Sequence, residues 1–264
     1  MIMSLLKEKL RKIFCFVSRN EFLYKISKRL AYDHDGENNC ELKTNGEMKV
    51  LEKFVKDDAC VFDVGANIGE WTELVLKINP SISVHSFEPC DSTFLELEKN
   101  IKHKNVKLNK VGLDINIGEK IFHIFGSCSV LNSLHNRTCT DVGESTEQKI
   151  TTNTVDNYCI ENNITKIDFL KIDVEGNDFN VLKGSKNMLK KGLIDVVQFE
   201  YGGTYLDAKL FLKDYFDCVK ENNLNYSIYK ILPHKIIKIP KYDVKLENFQ
   251  YVNYLMINNK IFFK

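Results

Sequence analysis

The chain has 264 residues, 44% of them hydrophobic, with 37 Lys+Arg against 36 Asp+Glu. That length and apolar content suit one α/β domain with modest additions, and the charge balance gives no electrostatic case for nucleic acid as the main ligand. No apolar run approaches the ~20 residues of a membrane span. The eight cysteines form no CxxC pair and no zinc spacing, which favours reduced, packed thiols in a cytoplasmic protein over a disulfide framework.

Residues 1–30 carry eight Lys/Arg (Lys7, Lys9, Arg11, Lys12, Arg19, Lys25, Lys28, Arg29) against Glu8 and Glu21, a net charge of +6. Leu5, Leu6, Leu10, Ile13, Phe14 and Val17 recur at three- to four-residue spacing, which predicts an amphipathic helix. The expected placement is on the body of the protein with the basic face in water. The other placement is peripheral contact with an anionic membrane, at its inner face, or with an acidic partner. Charges from Lys7 to Lys12 interrupt the first apolar stretch and no small-residue cleavage site follows, so the segment does not read as a signal peptide. Residues 31–49, polar with Gly36 and Gly46, read as a linker. The expected division is therefore 1–49, a basic helix and linker, and 50–264, the main domain.

From residue 50 strands and helices alternate. Strands are expected at 60–64, 82–87 and 106–111, with helices at 70–78 and 92–102. Residues 111–125 alternate around Asn116-Ile117-Gly118, a hairpin signal. Residues 126–149 are polar and irregular, long enough to suggest a functional loop. A strand at 169–172, a helix at 177–189, a strand at 194–199, a helix near 206–221 and strands near 226–232 and 251–257 follow. Strand–helix repeats with short connections imply a Rossmann-like α/β fold: a mostly parallel sheet with helices on both faces. Ligands of such sheets bind at the carboxyl ends of the strands, so the residues just after each strand matter most.

Asp63-Val64-Gly65-Ala66-Asn67-Ile68-Gly69 follows the first strand. Gly65 allows a sharp turn and Gly69 a close helix start. Asn67 stands where a dinucleotide loop has its second glycine, which lets a pyrophosphate approach. The loop therefore fits a ligand without pyrophosphate. S-adenosylmethionine qualifies, its amino and carboxylate groups meeting the loop and Asp63 bonding the ammonium directly or through water. An ordinary βα turn with two structural glycines reads the same way. Glu88, ending the second strand as Phe87-Glu88-Pro89, lies about 20 positions beyond the loop, where a carboxylate accepts both ribose hydroxyls. A lone strand-end Glu is otherwise simply solvated.

Lys171-Ile172-Asp173-Val174-Glu175-Gly176 places three ionisable side chains on one side of a central strand end. Such groups are costly to bury without partners. Asp173 or Glu175 could instead cap the next helix. Glu200 ends the next strand, so it can approach Asp173. That pair suits an oxygen-ligand Mg²⁺ or Mn²⁺ site, or a base that deprotonates a substrate hydroxyl, and the residues do not separate the two. Tyr201 and Tyr205 are either sugar-stacking rings or lid packing. His135 is an isolated candidate base in the polar loop.

Taken together, these residues resemble the FkbM family of S-adenosylmethionine-dependent methyltransferases. The resemblance rests on residues 62–69, Phe87-Glu88-Pro89, residues 167–176, Leu182-Lys183-Gly184 and Phe199-Glu200, and covers roughly 50–257. It implies a seven-stranded sheet with the last strand antiparallel, and methyl transfer to a hydroxyl of a sugar, surface glycan, glycolipid or related natural product. It implies that Asp63, Gly65, Asn67, Gly69 and Glu88 bind the cofactor, with Asp114 at the adenine, and that Lys171, Asp173, Glu175 and Glu200 line the reacting end. Within 126–140, Ser129, Asn132 and Ser133 would face cofactor or substrate. The rivals are a nicotinamide-dependent oxidoreductase, which lacks its GxGxxG here, and a non-catalytic binding module of the same fold. The acceptor and the oligomeric state are not legible.

Overall fold

The computed structural model describes residues 2–126, 132–135 and 144–263; Ser129, Cys128 and Cys139 lie outside them. Two helices, α1 (Ile2–Arg19) and α2 (Glu21–Asp35), open the chain. Asn20 starts α2 by accepting a hydrogen bond from the Leu23 amide, and Gly36 ends it in the left-handed conformation. The apolar face of this pair does not pack on the body, contrary to expectation. Leu5, Leu6, Leu10, Ile13 and Phe14 of α1 and Phe22, Ile26 and Leu30 of α2 are exposed. The chain then reaches the sheet at once: Glu37 pairs with Lys230 at 2.8 Å, and the Asn38 amide donates to the Tyr251 carbonyl at 2.8 Å.

The remaining elements run α3 (Glu47–Phe54), β1 (Cys60–Val64), α4 (Glu70–Ile78), β2 (Ser83–Phe87), α5 (Asp91–Asn100), β3 (Val106–Asn109), β4 (Gly112–Leu113), β5 (Gly118–Ile124), β6 (Thr146–Asn153) and α6 (Val155–Glu161). They continue β7 (Ile167–Ile172), α7 (Asp178–Lys183), α8 (Lys186–Lys191), β8 (Ile194–Tyr201), α9 (Thr204–Ala208), α10 (Leu212–Glu221), β9 (Tyr226–Ile231), β10 (Ile236–Ile239) and β11 (Val252–Asn258). The main sheet has the order β10-β9-β11-β8-β7-β1-β2-β3. Strands β3, β2, β1, β7 and β8 are parallel, and β11 runs antiparallel between β8 and β9. This is the Rossmann-like α/β fold expected. The seven strands and the antiparallel last strand are present, and β10 adds an eighth as a hairpin partner of β9.

Alternate residues of each central strand face opposite layers. Phe62, Val64, Leu170 and Ile172 pack with residues of α6, α7, α8 and α10, such as Tyr158, Leu182, Met188 and Tyr215. Val61 and Phe169 pack on the other side with Val50 and Leu51 of α3 and Trp71 and Val75 of α4. Asp63 and Lys171 fall on this second face, beneath α4. The chain leaves β1 towards β2 on one side and returns to β7 on the other, so the switch point lies over the carboxyl ends of β1 and β7.

Three local expectations change. Residues 111–125 do not pair as a hairpin; β4 and β5 lie on either side of β6, which pairs with both. The helix expected at 177–189 breaks at Gly184, where a Cβ would lie 2.2 Å from the Asp114 carbonyl oxygen. The helix expected at 206–221 breaks at Lys209, which has a φ of 53°. The cysteines of the described residues are free thiols, with Cys90 and Cys159 buried. No helix among the described residues is long and apolar enough to cross a membrane.

Gly46 shows how closely the segment before α3 is fitted to the sheet. Its φ is 101°, and a Cβ there would lie 2.3 Å from the Leu232 carbonyl oxygen. Gly46→Ala is expected to cost about 1–3 kcal/mol in urea unfolding, through backbone strain and a forced shift. Gly203→Ala, at a φ of −61° with no atom within 4 Å of the new methyl, is expected to stay within about 0.5 kcal/mol of the parent. Equal losses would show that Gly46 is not a fitted position.

Candidate active site

The loop after β1 turns on residues that tolerate left-handed backbone. Gly65, Asn67 and Gly69 have φ values of 80°, 48° and 98°. At Gly65 a Cβ would lie 1.8 Å from the Asp173 carbonyl oxygen, so only glycine lets the ends of β1 and β7 approach this closely. The amides of Gly65 and Ala66 both donate to the Phe87 carbonyl at 3.0 Å, which ties the loop to β2. Gly69 begins α4 tightly against Leu97 and Ile101. A cavity of about 420 Å³ opens over this loop, lined in part by Gly65, Asn67, Glu88, Asp173, Glu175 and Glu200.

Glu88 marks the β2 end of the cavity. Its carboxylate accepts from the amides of Asn67 (3.2 Å) and Cys90 (2.9 Å), which fixes its direction. Burial pushes its pKa up to about 7 despite those bonds. Asn67 lines the same cavity, and its buried side-chain oxygen has no hydrogen-bond partner among the described residues.

Lys171 marks the centre. Its ammonium lies 3.1 Å from Asp63, 3.3 Å from Asp173 and 3.3 Å from the Gly65 carbonyl, so its three N–H donors have three acceptors. Burial alone would lower its pKa, but the two carboxylates outweigh that and raise it. Lys171 therefore stays charged. Asp63, one layer beneath the cavity, also accepts from the Thr72 hydroxyl at 2.7 Å. Both its oxygens are thus committed inside the protein, and it does not line the cavity as the cofactor's direct partner would.

The third group is acidic. Carboxylate oxygens of Asp173, Glu175 and Glu200 lie within 4.8 Å of one another. Loss of solvent, then the charges of Asp173 and Glu175, push the Glu200 pKa well up. Its carboxylate lies beside that of Asp173, and the raised pKa favours its protonated form. Glu175 holds a φ of 55°, and its carbonyl accepts from the Ser133 hydroxyl at 2.8 Å.

Other sequence-derived candidates fall elsewhere. Asp114, expected at the adenine, is buried outside the cavity lining, paired with Lys120 and bonded by Asn177. Asn132 lines the cavity, whereas Ser133 and His135 do not. Tyr201 and Tyr205 are fully buried, their hydroxyls bonded to Glu247 and to the Glu200 carbonyl, so they pack rather than stack on a ligand.

The residues that sequence reasoning missed come from the two ends of the chain. Glu47 of α3 is buried and accepts from Gln198 (2.6 Å), Asn253 (3.0 Å) and Asn45 (2.6 Å). Burial pushes its pKa up. With Cys40, Leu42, Tyr251 and Asn253 it walls the cavity beside Glu200. Nothing local distinguishes Glu47 from Glu41 or Glu52; its partners are 151 and 206 residues away.

Residues 63–226 match the family model described as the methyltransferase FkbM domain. Among characterised proteins, the chain is similar to a hexuronic acid methyltransferase, AglP, of Haloferax volcanii, at 28% identity over 63% of this chain and 66% of that protein. It is also similar to Methyltransferase 1 of Beauveria bassiana, at 23% identity over 48% of this chain and 59% of that protein. The chain thus spans somewhat less than two thirds of the length of these relatives. Among solved structures it is similar to a Streptococcus mutans protein described as a methyltransferase in complex with SAH, at 10% identity and a TM-score of 0.45, over 83% of this chain and 99% of that one.

Removing Lys171 should expose how the buried charges depend on it. Lys171→Met leaves Asp63 ionised without its cation and is expected to cost about 3–5 kcal/mol in denaturant unfolding. Adding Asp63→Asn should recover at least half of the loss. A single variant as stable as the parent would contradict the ion pair.

Proposed function

The chain belongs to the methyltransferase FkbM family, and from that premise we propose that it is an S-adenosylmethionine-dependent O-methyltransferase acting on a hydroxyl of a sugar, surface glycan or glycolipid. The observation that carries the reading is the order of groups along one cavity. Glu88 stands at the end of β2, the glycine turn at the end of β1, and the carboxylate cluster at the ends of β7 and β8. With strands about 4.8 Å apart, that series spans roughly 14 Å. This suits an adenosyl ligand whose ribose lies on Glu88 and whose sulfur lies by Asp173.

S-adenosylmethionine, when bound, supplies an electrophilic methyl on a sulfonium sulfur. Glu88, held by two amides, accepts from the ribose hydroxyls. The unpartnered Asn67 oxygen offers a further acceptor to the same ligand. Gly65 and Gly69 keep the loop thin enough for close approach.

Asp173 and Glu200, side by side at the ends of β7 and β8, are the groups suited to take the proton of an acceptor hydroxyl during transfer. Lys171, with its donors committed, positions Asp173 and balances its charge. Glu47, Asp173, Glu175 and Glu200 outnumber that ammonium, which favours a neutral hydroxyl at this end and a cationic sulfonium beside it. The hexuronic acid methyltransferase relative supports a sugar as the acceptor class. Placing the oxygen about 3 Å from the methyl is worth up to ~7–11 kcal/mol in ideal cases.

A second reading rests on the three carboxylates within 4.8 Å, an oxygen donor set that fits Mg²⁺ or Mn²⁺. Lys171, 3.3 Å from Asp173, already neutralises one of them, so the general-base reading is preferred.

Calorimetric titration should show micromolar binding of S-adenosylmethionine and S-adenosylhomocysteine and none of NADH. NADH binding, or no binding by folded protein, would overturn the reading. The ionised form of Glu88 accepts from ribose, and its pKa lies at about 7. S-adenosylhomocysteine affinity should therefore rise about tenfold from pH 6 to pH 8. Glu88→Gln should bind weakly, with that pH dependence flattened; an unchanged profile would remove Glu88 from the site.

Asp173→Asn should abolish turnover while leaving S-adenosylhomocysteine affinity within a few-fold. Equal loss of both would make Asp173 structural. Turnover that survives EDTA agrees with the general-base reading, and loss restored by Mg²⁺ would replace it with the metal reading.

A further inference from the structure

We propose that the α1–α2 pair is a membrane-docking element that seats the enzyme on an anionic lipid surface. Phe22, Ile26 and Leu30 repeat at i, i+4 and i+8 along one side of α2 and are 70%, 42% and 64% exposed. Leu6, Leu10 and Ile13 form a matching stripe on α1, with Phe14 beside it, all exposed. No residue of α2 is buried. Two apolar stripes left in water are unusual for a soluble surface and mark a contact site.

Charge identifies the occupant. Residues 1–30 carry a net +6 while the whole chain carries +1, so the remaining residues carry −5. Cations are thus gathered on the helices that display the apolar stripes, the composition of a helix lying in an anionic interface. A second copy docking helix pair to helix pair would bring two such charges together. Neither helix is long and apolar enough to span a bilayer, so the pair lies in the surface.

The connection to the cavity gives the docking a use. Asn38 is tied to the Tyr251 carbonyl at 2.8 Å and Glu37 to Lys230 at 2.8 Å, and Cys40 and Tyr251 both line the cavity. Four residues lie between Asp35 and Cys40, a reach of at most about 18 Å. A docked helix pair therefore holds this wall of the cavity near the bilayer, where a hydroxyl on a lipid-anchored acceptor is concentrated. The consequence for acceptor rests on the proposed O-methyl transfer; the docking itself does not.

The test is flotation of the full chain with vesicles of phosphatidylglycerol mixed into phosphatidylcholine, and with phosphatidylcholine alone. The expected result is at least about tenfold more protein on the anionic vesicles, released by high salt. Phe22→Ser/Ile26→Ser/Leu30→Ser should abolish flotation, as should Lys7→Glu/Arg11→Glu, with S-adenosylhomocysteine affinity unchanged as proof of folding. Flotation with neither vesicle, or a serine variant that floats like the parent, would overturn the proposal. So would a non-floating parent dimer that the serine variant converts to monomer, because the stripes would then cover one another. Loss of turnover with flotation intact would instead count against the proposed reaction.

Discussion

Lys171 reaches from β7 to Asp63 on β1, Asp173 beyond the strand end and the Gly65 carbonyl in the loop. A buried ammonium is tolerable only with partners, and buried carboxylates need a cation in turn, so the groups hold one another in place. Their positions follow from sheet register, since Asp63 sits opposite Lys171 in the parallel β1–β7 pair. One lysine thereby joins the floor of the glycine turn to the acidic cluster, and the cavity's centre inherits the rigidity of the two innermost strands.

The rest of the cavity is arranged around that centre. On the β2 side, amides of the loop and of the α5 start aim Glu88. On the β8 side, Glu200 lies against Asp173 while its own carbonyl is held by the Tyr205 hydroxyl, which also meets Tyr215 at 2.9 Å. Beyond it, Glu47 gathers Gln198 of β8 and Asn253 of β11 into one hydrogen-bonded wall. The half proposed for the cofactor is thus built from the parallel strands and their loops. The half proposed for the acceptor draws also on segments near both ends of the chain, outside the family-matched residues 63–226.

Much of this was legible before any coordinates. The α/β alternation, the glycine turn, Glu88 and the charged end of β7 stand close together in sequence or at fixed offsets, and strand alternation carries their placement. Asp63 and Asp114 were expected at the ligand yet neither lines the cavity, because sequence gives a side chain's face but not its neighbours. Thr72 and Lys171 claim the first, and Lys120 and Asn177 the second. Glu47 was invisible because its partners come from distant strands. The breaks at Gly184 and Lys209 depend on tertiary fit that helix periodicity does not encode. The exposed stripe of α1 was misassigned because amphipathicity shows that a face will be covered, not by what.

The most direct test of the central claim is a crystal structure with S-adenosylhomocysteine bound. The predicted result places both ribose hydroxyls within hydrogen-bond distance of Glu88 and turns the sulfur toward Asp173 and Glu200, with Lys171 unmoved between Asp63 and Asp173. A ligand bound in the reverse direction, or outside this cavity, would contradict the account.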